Sequence, residues 1–90
     1  MVHCRSCDGE FIVPILSASD QLRIAEVARA GRSIEAMNLL RQFAGLELRD
    51  AKGVVMHVTR FPNVCHRCNG ALPGFGQTEC VKCGSLNFDW

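Results

Sequence analysis

The sequence predicts a small α+β protein, because three features give different parts of the chain different local structure. Its cysteines form three Cys-x-x-Cys pairs, one near the start of the chain and two near the end. Between them, residues 17–61 contain no proline and repeat apolar residues at helical spacing. The chain has 90 residues, a size at which a hydrophobic core alone gives marginal stability.

These features divide the chain into three segments. Residues 1–16 carry the first cysteine pair and an apolar run at 11–16, which predicts one short strand. Residues 17–61 are predicted to form a three-helix unit. Residues 62–90 carry the other two cysteine pairs, and the turn sequence Pro-Gly-Phe-Gly at 73–76 should form a hairpin tip between them.

The first helix should begin after Ser17, whose hydroxyl can cap the first turn, with Asp20 three residues later as in a capping box. Gly31 should end it, because glycine adopts the left-handed conformation at low cost. The predicted buried side consists of Leu22, Ala25 and Ala28, widened by Ile24 and Val27.

The second helix should be capped by Ser33 and ended by Gly45, with Leu46 as the hydrophobic residue just after the glycine. Its predicted apolar stripe consists of Ile34, Met37, Leu40 and Ala44, widened by Ala36 and Phe43.

The third helix has apolar residues at spacings of three and four. It contains Gly53, which costs about 1 kcal/mol relative to alanine inside a helix. A close contact with another helix would explain a glycine at this position. The residues predicted to be buried are Leu48, Ala51, Val55 and Val58.

Cysteine spacing in residues 62–90 predicts a zinc ribbon. Its two pairs are Cys65 with Cys68 and Cys80 with Cys83. Two such pairs separated by a short hairpin, here residues 69–79, can present four thiolates tetrahedrally to a zinc ion. The turn after each pair needs residues that tolerate positive φ, and Asn69-Gly70 and Gly84 supply them. Four thiolates leave no position for water, so a structural zinc is expected.

The first pair, Cys4 and Cys7, resembles half of a second ribbon without its partner pair. A second metal site would take further ligands from His3, His57 or His66, or from the same pair of a second subunit in a two-fold dimer. The first pair could instead compete for the Cys65/Cys68 pair or remain a free dithiol. Taken one by one, the histidines give little indication of a ligand role. His57 should be packed or solvated, and His66 should be solvent-exposed. His3 is better placed to be a ligand only because it adjoins Cys4.

Composition points away from membranes and from secretion. The net charge is +1, so no overall field attracts nucleic acid or anionic lipid. No apolar run approaches the ~18 residues that a membrane-spanning helix needs. The first residues lack the charged and apolar parts of a signal peptide. Because paired cysteines without such a signal are typical of a reducing compartment, we expect a cytoplasmic protein.

Part of the three-helix unit resembles a known helical hairpin. The sequence Gly-Leu-Glu-Leu-Arg-Asp-Ala-Lys at 45–52 follows the pattern Gly-Leu-x-Leu-x-acidic-Ala-Lys. With the apolar residues and Arg41 before it, this stretch is similar to the hairpin in the C-terminal domain of the bacterial ribosomal stalk protein. The resemblance covers about residues 32–58.

The resemblance implies a function. In the stalk family, this hairpin docks translation GTPases through basic and apolar side chains on one face. The chain would then be a bacterial adaptor whose partner is a translation factor or the ribosome. It departs from the family at Asn38, where the family has a docking lysine, and at Glu47, where it has glycine. The matching positions for partner binding are Ile34, Met37, Arg41, Leu48 and Lys52.

Two other classes of function fit the sequence less well than this adaptor. A nucleic-acid surface around the ribbon would be built from Arg60, Arg67 and Lys82, with Phe75 at the hairpin tip as the one evident aromatic residue for base stacking. An enzyme is not expected, because the chain has no nucleophile elbow, P-loop or dinucleotide fingerprint.

Overall fold

The structure, a computed structural model, describes residues 2–90 and has the predicted α+β class. Its helices are α1 (Ala18–Arg29), α2 (Ser33–Ala44) and α3 (Leu48–Met56). Its two small antiparallel sheets pair β1 (Val2–His3) with β2 (Glu10–Phe11), and β3 (Gly76–Glu79) with β4 (Leu86–Asp89). Among these residues, no helix has the length and hydrophobicity needed to cross a bilayer.

Helix α1 has the predicted ends but a shifted buried face. The Ser17 hydroxyl accepts a hydrogen bond from the backbone N–H of Asp20 at 3.2 Å, and Gly31 follows the helix with φ of 82°. Ile24 and Ala25 are fully buried. The prediction for Leu22 was wrong: it lies about 200° around the helix from Ile24 and is exposed.

Helix α2 ends as predicted but begins differently. Gly45 takes the left-handed conformation with φ of 65°, and Leu46 packs against the core. Ser33 is the first helical residue rather than the cap, because Arg32 occupies the cap position without a side-chain hydrogen bond. Ala36 and Leu40 are buried, whereas two residues of the predicted stripe face solvent: Ile34 and Phe43.

Helix α3 buries Ala51, Val54 and Val55, and Val58 is buried just beyond its end. Leu48, the first residue of the helix, was predicted to be buried but is 55% exposed. The apolar face of α3 therefore begins one turn later than predicted.

Gly53 is required by a close contact, but with an aromatic ring rather than with a helix. A Cβ atom at this position would lie 2.7 Å from the Cγ and Cδ1 atoms of Phe11. The Phe11 ring is buried against this glycine. The absent side chain thus lets β2 approach α3.

Replacing Gly53 with alanine should destabilise the protein. The added methyl group forces the Phe11 ring to move, and overpacking of this kind costs about 1–3 kcal/mol. This exceeds the ~1 kcal/mol that alanine gains in helix propensity. Urea unfolding should show a lower free energy of unfolding. The matched control is Gly74→Ala, whose Cβ would have 3.9 Å of clearance; equal or greater stability of Gly53→Ala would contradict the argument.

The apolar run at 11–16 does not form the predicted strand, because only Phe11 pairs with β1. Pro14 has no N–H group to continue a ladder, and Ile15 is fully exposed. The run is instead fastened to α3, since the backbone N–H of Ile12 donates to the buried Asp50 carboxylate at 3.1 Å.

One hydrophobic core joins all three segments of the chain; its buried members include Phe11, Leu40, Val54 and Phe88. Beyond α3, the chain runs alongside β4. The Phe88 N–H donates to the His57 carbonyl at 2.8 Å, and the Thr59 N–H donates to the Phe88 carbonyl at 3.1 Å. The backbone of His57 is therefore held by the C-terminal strand.

A polar network fastens α1 to β4. The Arg29 guanidinium donates to the Thr59 carbonyl and to the Thr59 hydroxyl, both at 2.8 Å. That hydroxyl donates to the Asp89 carboxylate at 2.9 Å, which also accepts the N–H of Asn63. Because each of these polar groups has a hydrogen-bond partner, the charged pair of Arg29 and Asp89 is tolerated beside the core.

The C-terminal segment has the predicted hairpin, with β3 starting at the end of the 73–76 turn. The pairing nearest the first ribbon cysteines is a single bridge between Val64 and Ala71. Phe88 is fully buried and packs against Trp90, with ring centroids 5.0 Å apart. These two aromatic residues close the core at this end, with Trp90 partly buried against it.

Candidate metal centres

All three cysteine pairs fold into the same backbone turn. The N–H of the first cysteine donates to the carbonyl five residues later, and the N–H four residues later donates back to the carbonyl of that cysteine. The six hydrogen bonds measure between 2.8 and 3.1 Å. The residue after the second cysteine has a positive φ in each turn: Asp8 at 59°, Asn69 at 62° and Gly84 at 76°. The first pair therefore has the same metal-binding conformation as the other two.

The glycine that follows two of these turns leaves space for sulfur. A Cβ atom on Gly9 would lie 3.3 Å from Cys7 Sγ, and one on Gly70 would lie 3.3 Å from Cys68 Sγ. Gly70 was expected to supply a positive φ, but Asn69 does so and Gly70 provides clearance. This clearance lets the thiolate point inward toward a metal.

The four cysteines of the ribbon meet as predicted, with all four Sγ atoms within 4.8 Å of one another. Cys65 Sγ lies 3.7 Å from Cys83 Sγ, and Cys68 Sγ lies 3.5 Å from Cys80 Sγ. A tetrahedral zinc with Zn–S bonds of ~2.3 Å places its sulfurs ~3.8 Å apart. The cluster thus has the dimensions of a closed four-thiolate site, compatible with a zinc ribbon.

Surrounding N–H groups stabilise a thiolate at Cys65. The Arg67 N–H donates to Cys65 Sγ at 3.4 Å, and the buried Asn87 side-chain amide lies 3.5 Å from it. Burial raises the pKa of Cys65, but hydrogen bonds from the Cys68 backbone, Asn87 and Arg67 outweigh it and lower the pKa to about 6. Asn87 also accepts the His66 N–H at 2.9 Å, so it fixes the turn as well as the sulfur.

The opposite side of the cluster indicates that a bound cation would be favourable. Burial, together with contacts with the other three thiols, raises the pKa of Cys83 to about 12. The backbone N–H groups of Cys83 and Lys82 lower the pKa of Cys80. Thiolates crowded this closely disfavour a further negative charge, which a divalent metal would neutralise.

The first pair finds its further ligand inside its own chain. Cys4, Cys7 and His57 bring their ligand atoms within 4.8 Å of one another. Cys7 Sγ lies 3.5 Å from His57 Nε2, and tetrahedral zinc with ordinary bond lengths would separate S and N by ~3.6 Å. The group is therefore a three-ligand set, consistent with a bound metal.

The imidazole of His57 is oriented for metal binding. Its Nδ1 lies 2.6 Å from the Gly53 carbonyl, to which it donates, so that Nε2 keeps a lone pair facing Cys7. The Phe11 ring lies against it, with centroids 5.1 Å apart. Gly53 thus has two roles. Its missing side chain makes room for the Phe11 ring, and its carbonyl fixes the tautomer of His57.

Cys4 is the buried ligand of this second centre. The Leu86 N–H of β4 donates to its Sγ at 3.4 Å. Burial raises the pKa of Cys4, but hydrogen bonds from the backbone of Leu86, Cys7 and Ser6 lower it to about 6. A thiolate is thus favoured at Cys4 before any metal binds.

The histidines differ most from their predictions. His57 was expected to be a packed or solvated boundary residue; it is only 7% exposed, but its Nε2 faces the cysteine pair. His66 is half-buried rather than exposed, with Nε2 2.9 Å from the Ser85 hydroxyl and 3.1 Å from the Leu86 carbonyl. Burial, assisted by the nearby positive groups, lowers the pKa of His66. His3 contacts Asp8 and is not part of the three-ligand set.

Two features of the sequence draw attention to His57 without identifying it as a ligand. It lies four residues after Gly53, a spacing that lets its Nδ1 reach a helix carbonyl, and it follows a glycine that invites close approach. Neither feature connects it to a cysteine pair 50 residues away. That connection needs the tertiary fold.

The other predicted site residues lie outside both centres. The five predicted partner-binding residues are Ile34, Met37, Arg41, Leu48 and Lys52. Four of them are exposed, whereas Met37 is half-buried and packs on the core. All three predicted nucleic-acid contacts are exposed: Arg60, Arg67 and Lys82.

Comparison with protein-family models, with curated proteins and with solved structures gives no match for this chain. The similarity of residues 32–58 to the stalk hairpin therefore has no support beyond its own motif.

Proposed function

We propose that the protein is a non-catalytic zinc-binding adaptor that docks a protein partner through the α2–α3 hairpin. The observation that carries this proposal is exposed apolar surface on the hairpin. Ile34 is 75% exposed and Leu48 is 55% exposed, although helix periodicity would bury both. We infer that the two side chains belong to one interaction surface, because contiguous exposed apolar side chains mark such surfaces.

Cations accompany these apolar residues on both helices. Ile34 and Arg41 are seven residues apart on α2, so they share one side of that helix. Leu48 and Lys52 are four residues apart and share one side of α3. A partner surface with apolar pockets and carboxylates would complement this pattern.

The metal centres provide rigidity rather than chemistry in this proposal. A four-thiolate zinc has no position for water or substrate. The second centre holds His57 at the C-terminal end of α3, so it fixes one end of the docking hairpin. The motif similarity to the stalk hairpin favours the translation machinery of a bacterial cytoplasm as the place to seek the partner, with a translation GTPase or the ribosome first.

Acidic substitutions on the hairpin should weaken partner binding. Ile34→Asp and Leu48→Asp remove exposed apolar area and add charge, so each should reduce affinity for purified bacterial translation GTPases or ribosomes by roughly tenfold or more, as for a central interface residue. Biolayer interferometry measures this. The matched control is Phe75→Asp on the ribbon, where the side chain is 84% exposed. Equal losses for all three variants, or no binding by the wild type, would refute the docking surface.

A nucleic-acid-binding ribbon is the second candidate function, and one contact favours it. Lys82 lies over the Cys65–Gly70 turn, where its Cδ would be 3.0 Å from a Cβ on Gly70, and the exposed Arg67 belongs to the same turn. Phe61 is an exposed aromatic beside Arg60. Phosphate contacts by these cations would make RNA binding fall steeply with salt, whereas hairpin docking would not.

A further inference from the structure

A cavity of about 580 Å³ opens directly beside the second metal centre. Two of the three ligands, Cys7 and His57, form part of its wall, whereas Cys4 is buried behind them. Its volume lies within the range of small-molecule sites, ~300–1,000 Å³. The centre is therefore approached from solvent through this cavity.

The coordination set of this centre is incomplete. Zinc in structural sites has four protein ligands, whereas sites that admit water or substrate have three. Within residues 2–90, the group of close donors around Cys4 and Cys7 contains only one further member, His57. Because Cys4 is buried and only Cys7 and His57 line the cavity, the remaining position of a tetrahedral ion would face the cavity.

His66 lines the cavity, but its Nε2 atom is already hydrogen-bonded to other groups. Its ring centroid is 5.1 Å from that of His57. Its Nε2, however, is hydrogen-bonded to the Ser85 hydroxyl and the Leu86 carbonyl, which fixes the ring against β4. The side chain is a wall of the cavity rather than a fourth ligand.

The charges around the cavity favour an anion. A zinc ion with two thiolates and a neutral imidazole has no net charge, so it does not repel an incoming anion. Three cationic side chains line the cavity, Arg49, Lys52 and Arg67, against one carboxylate, Glu10. The apolar surface between them comes from Phe11 and Met56.

We propose that the Cys4/Cys7/His57 centre binds a small organic carboxylate as an exogenous fourth ligand. A carboxylate oxygen occupies the remaining zinc position, and the apolar body of the ligand lies against Phe11 and Met56. The cations at the rim raise the local concentration of the anion. This binding is a different activity from partner docking by the hairpin, although Lys52 belongs to both surfaces.

Cobalt substitution tests the proposal, because Co²⁺ reports changes in its coordination through its visible absorption bands. Protein with cobalt in both centres is titrated with sodium hexanoate, sodium acetate and 1-hexanol. Hexanoate should shift the bands saturably. It should bind at least tenfold more tightly than acetate, because each buried methylene contributes roughly fourfold. Hexanol should leave the bands unchanged.

Substitutions test whether the band shift caused by hexanoate comes from this centre. His57→Ala should abolish the hexanoate response while the bands of the four-thiolate site persist. Arg67→Ala and Lys52→Ala should each weaken hexanoate binding several-fold, and the matched control Lys82→Ala, a cation outside the cavity wall, should not. Bands insensitive to every probe, equal responses to hexanoate and hexanol, or one cobalt ion per chain would each overturn the proposal.

Discussion

Removing zinc should abolish the cooperative thermal transition of this protein. Structural zinc in small domains contributes apparent binding free energies of about 10–16 kcal/mol. That is as large as the whole stability of an ordinary domain, about 5–15 kcal/mol. Without the ion, the crowded ribbon thiols, with Cys65 and Cys83 only 3.7 Å apart, lose the charge that holds them together.

Unfolding should extend beyond residues 62–90. Phe88 of the ribbon is a fully buried member of the shared core, and its backbone is paired with residues 57–59 after α3. Loss of β4 therefore removes a wall of the three-helix unit and the hydrogen bonds that hold His57. We expect the helical circular-dichroism signal to fall together with the amide-exchange protection of the ribbon.

Calorimetry and amide hydrogen exchange measure this outcome before and after treatment with a strong zinc chelator. The same chelator preloaded with zinc is the control, because it tests the reagent without removing the metal. Returning zinc should restore the transition. An unchanged melting curve after complete zinc removal would contradict the prediction, and a melt confined to residues 62–90 would show that the helices are stable on their own.

The second large effect concerns zinc stoichiometry, which should be two ions per chain. A zinc ion in the ribbon would use four thiolates, and one in the second centre would use Cys4, Cys7 and His57 of one chain. Cys7→Ser and His57→Ala should each reduce the count to one ion per chain while the ribbon stays folded. The mass of the protein in solution should not otherwise change.

Native mass spectrometry distinguishes this arrangement from a shared site and from a free dithiol. Three zinc ions per dimer, with the count insensitive to His57→Ala, would show that the first cysteine pair is shared across a two-fold axis. One zinc per chain with two titratable thiols would identify a free dithiol. The matched control is His3→Ala, which removes a histidine adjacent to Cys4 that contacts Asp8 and lies outside the three-ligand set.

The ribbon cysteines and the ends of two helices were predictable because their causes are local. The Cys-x-x-Cys turn depends on hydrogen bonds within six residues and on one residue with positive φ, which Asn69 and Gly84 supply. The Ser17 cap and the left-handed Gly45 likewise depend only on their neighbours. Spacing and residue type were therefore sufficient.

Burial was less predictable, because periodicity gives the apolar side of a helix but not what covers it. Leu22, Ile34 and Leu48 all fit an apolar pattern, yet they face solvent. The run at 11–16 is apolar enough for a strand, but its backbone pairs with another strand only at Phe11. Whether such a residue is buried depends on which distant segment reaches it.

The sequence by itself determined the chemistry available to this protein: three turns that present thiolates, and a helical unit between them. Only the tertiary structure decided how the first turn is completed. Gly53 admits the Phe11 ring and orients His57, and β4 places an N–H group on Cys4. These contacts join positions far apart in the chain, and they form only when the shared core brings the three segments together.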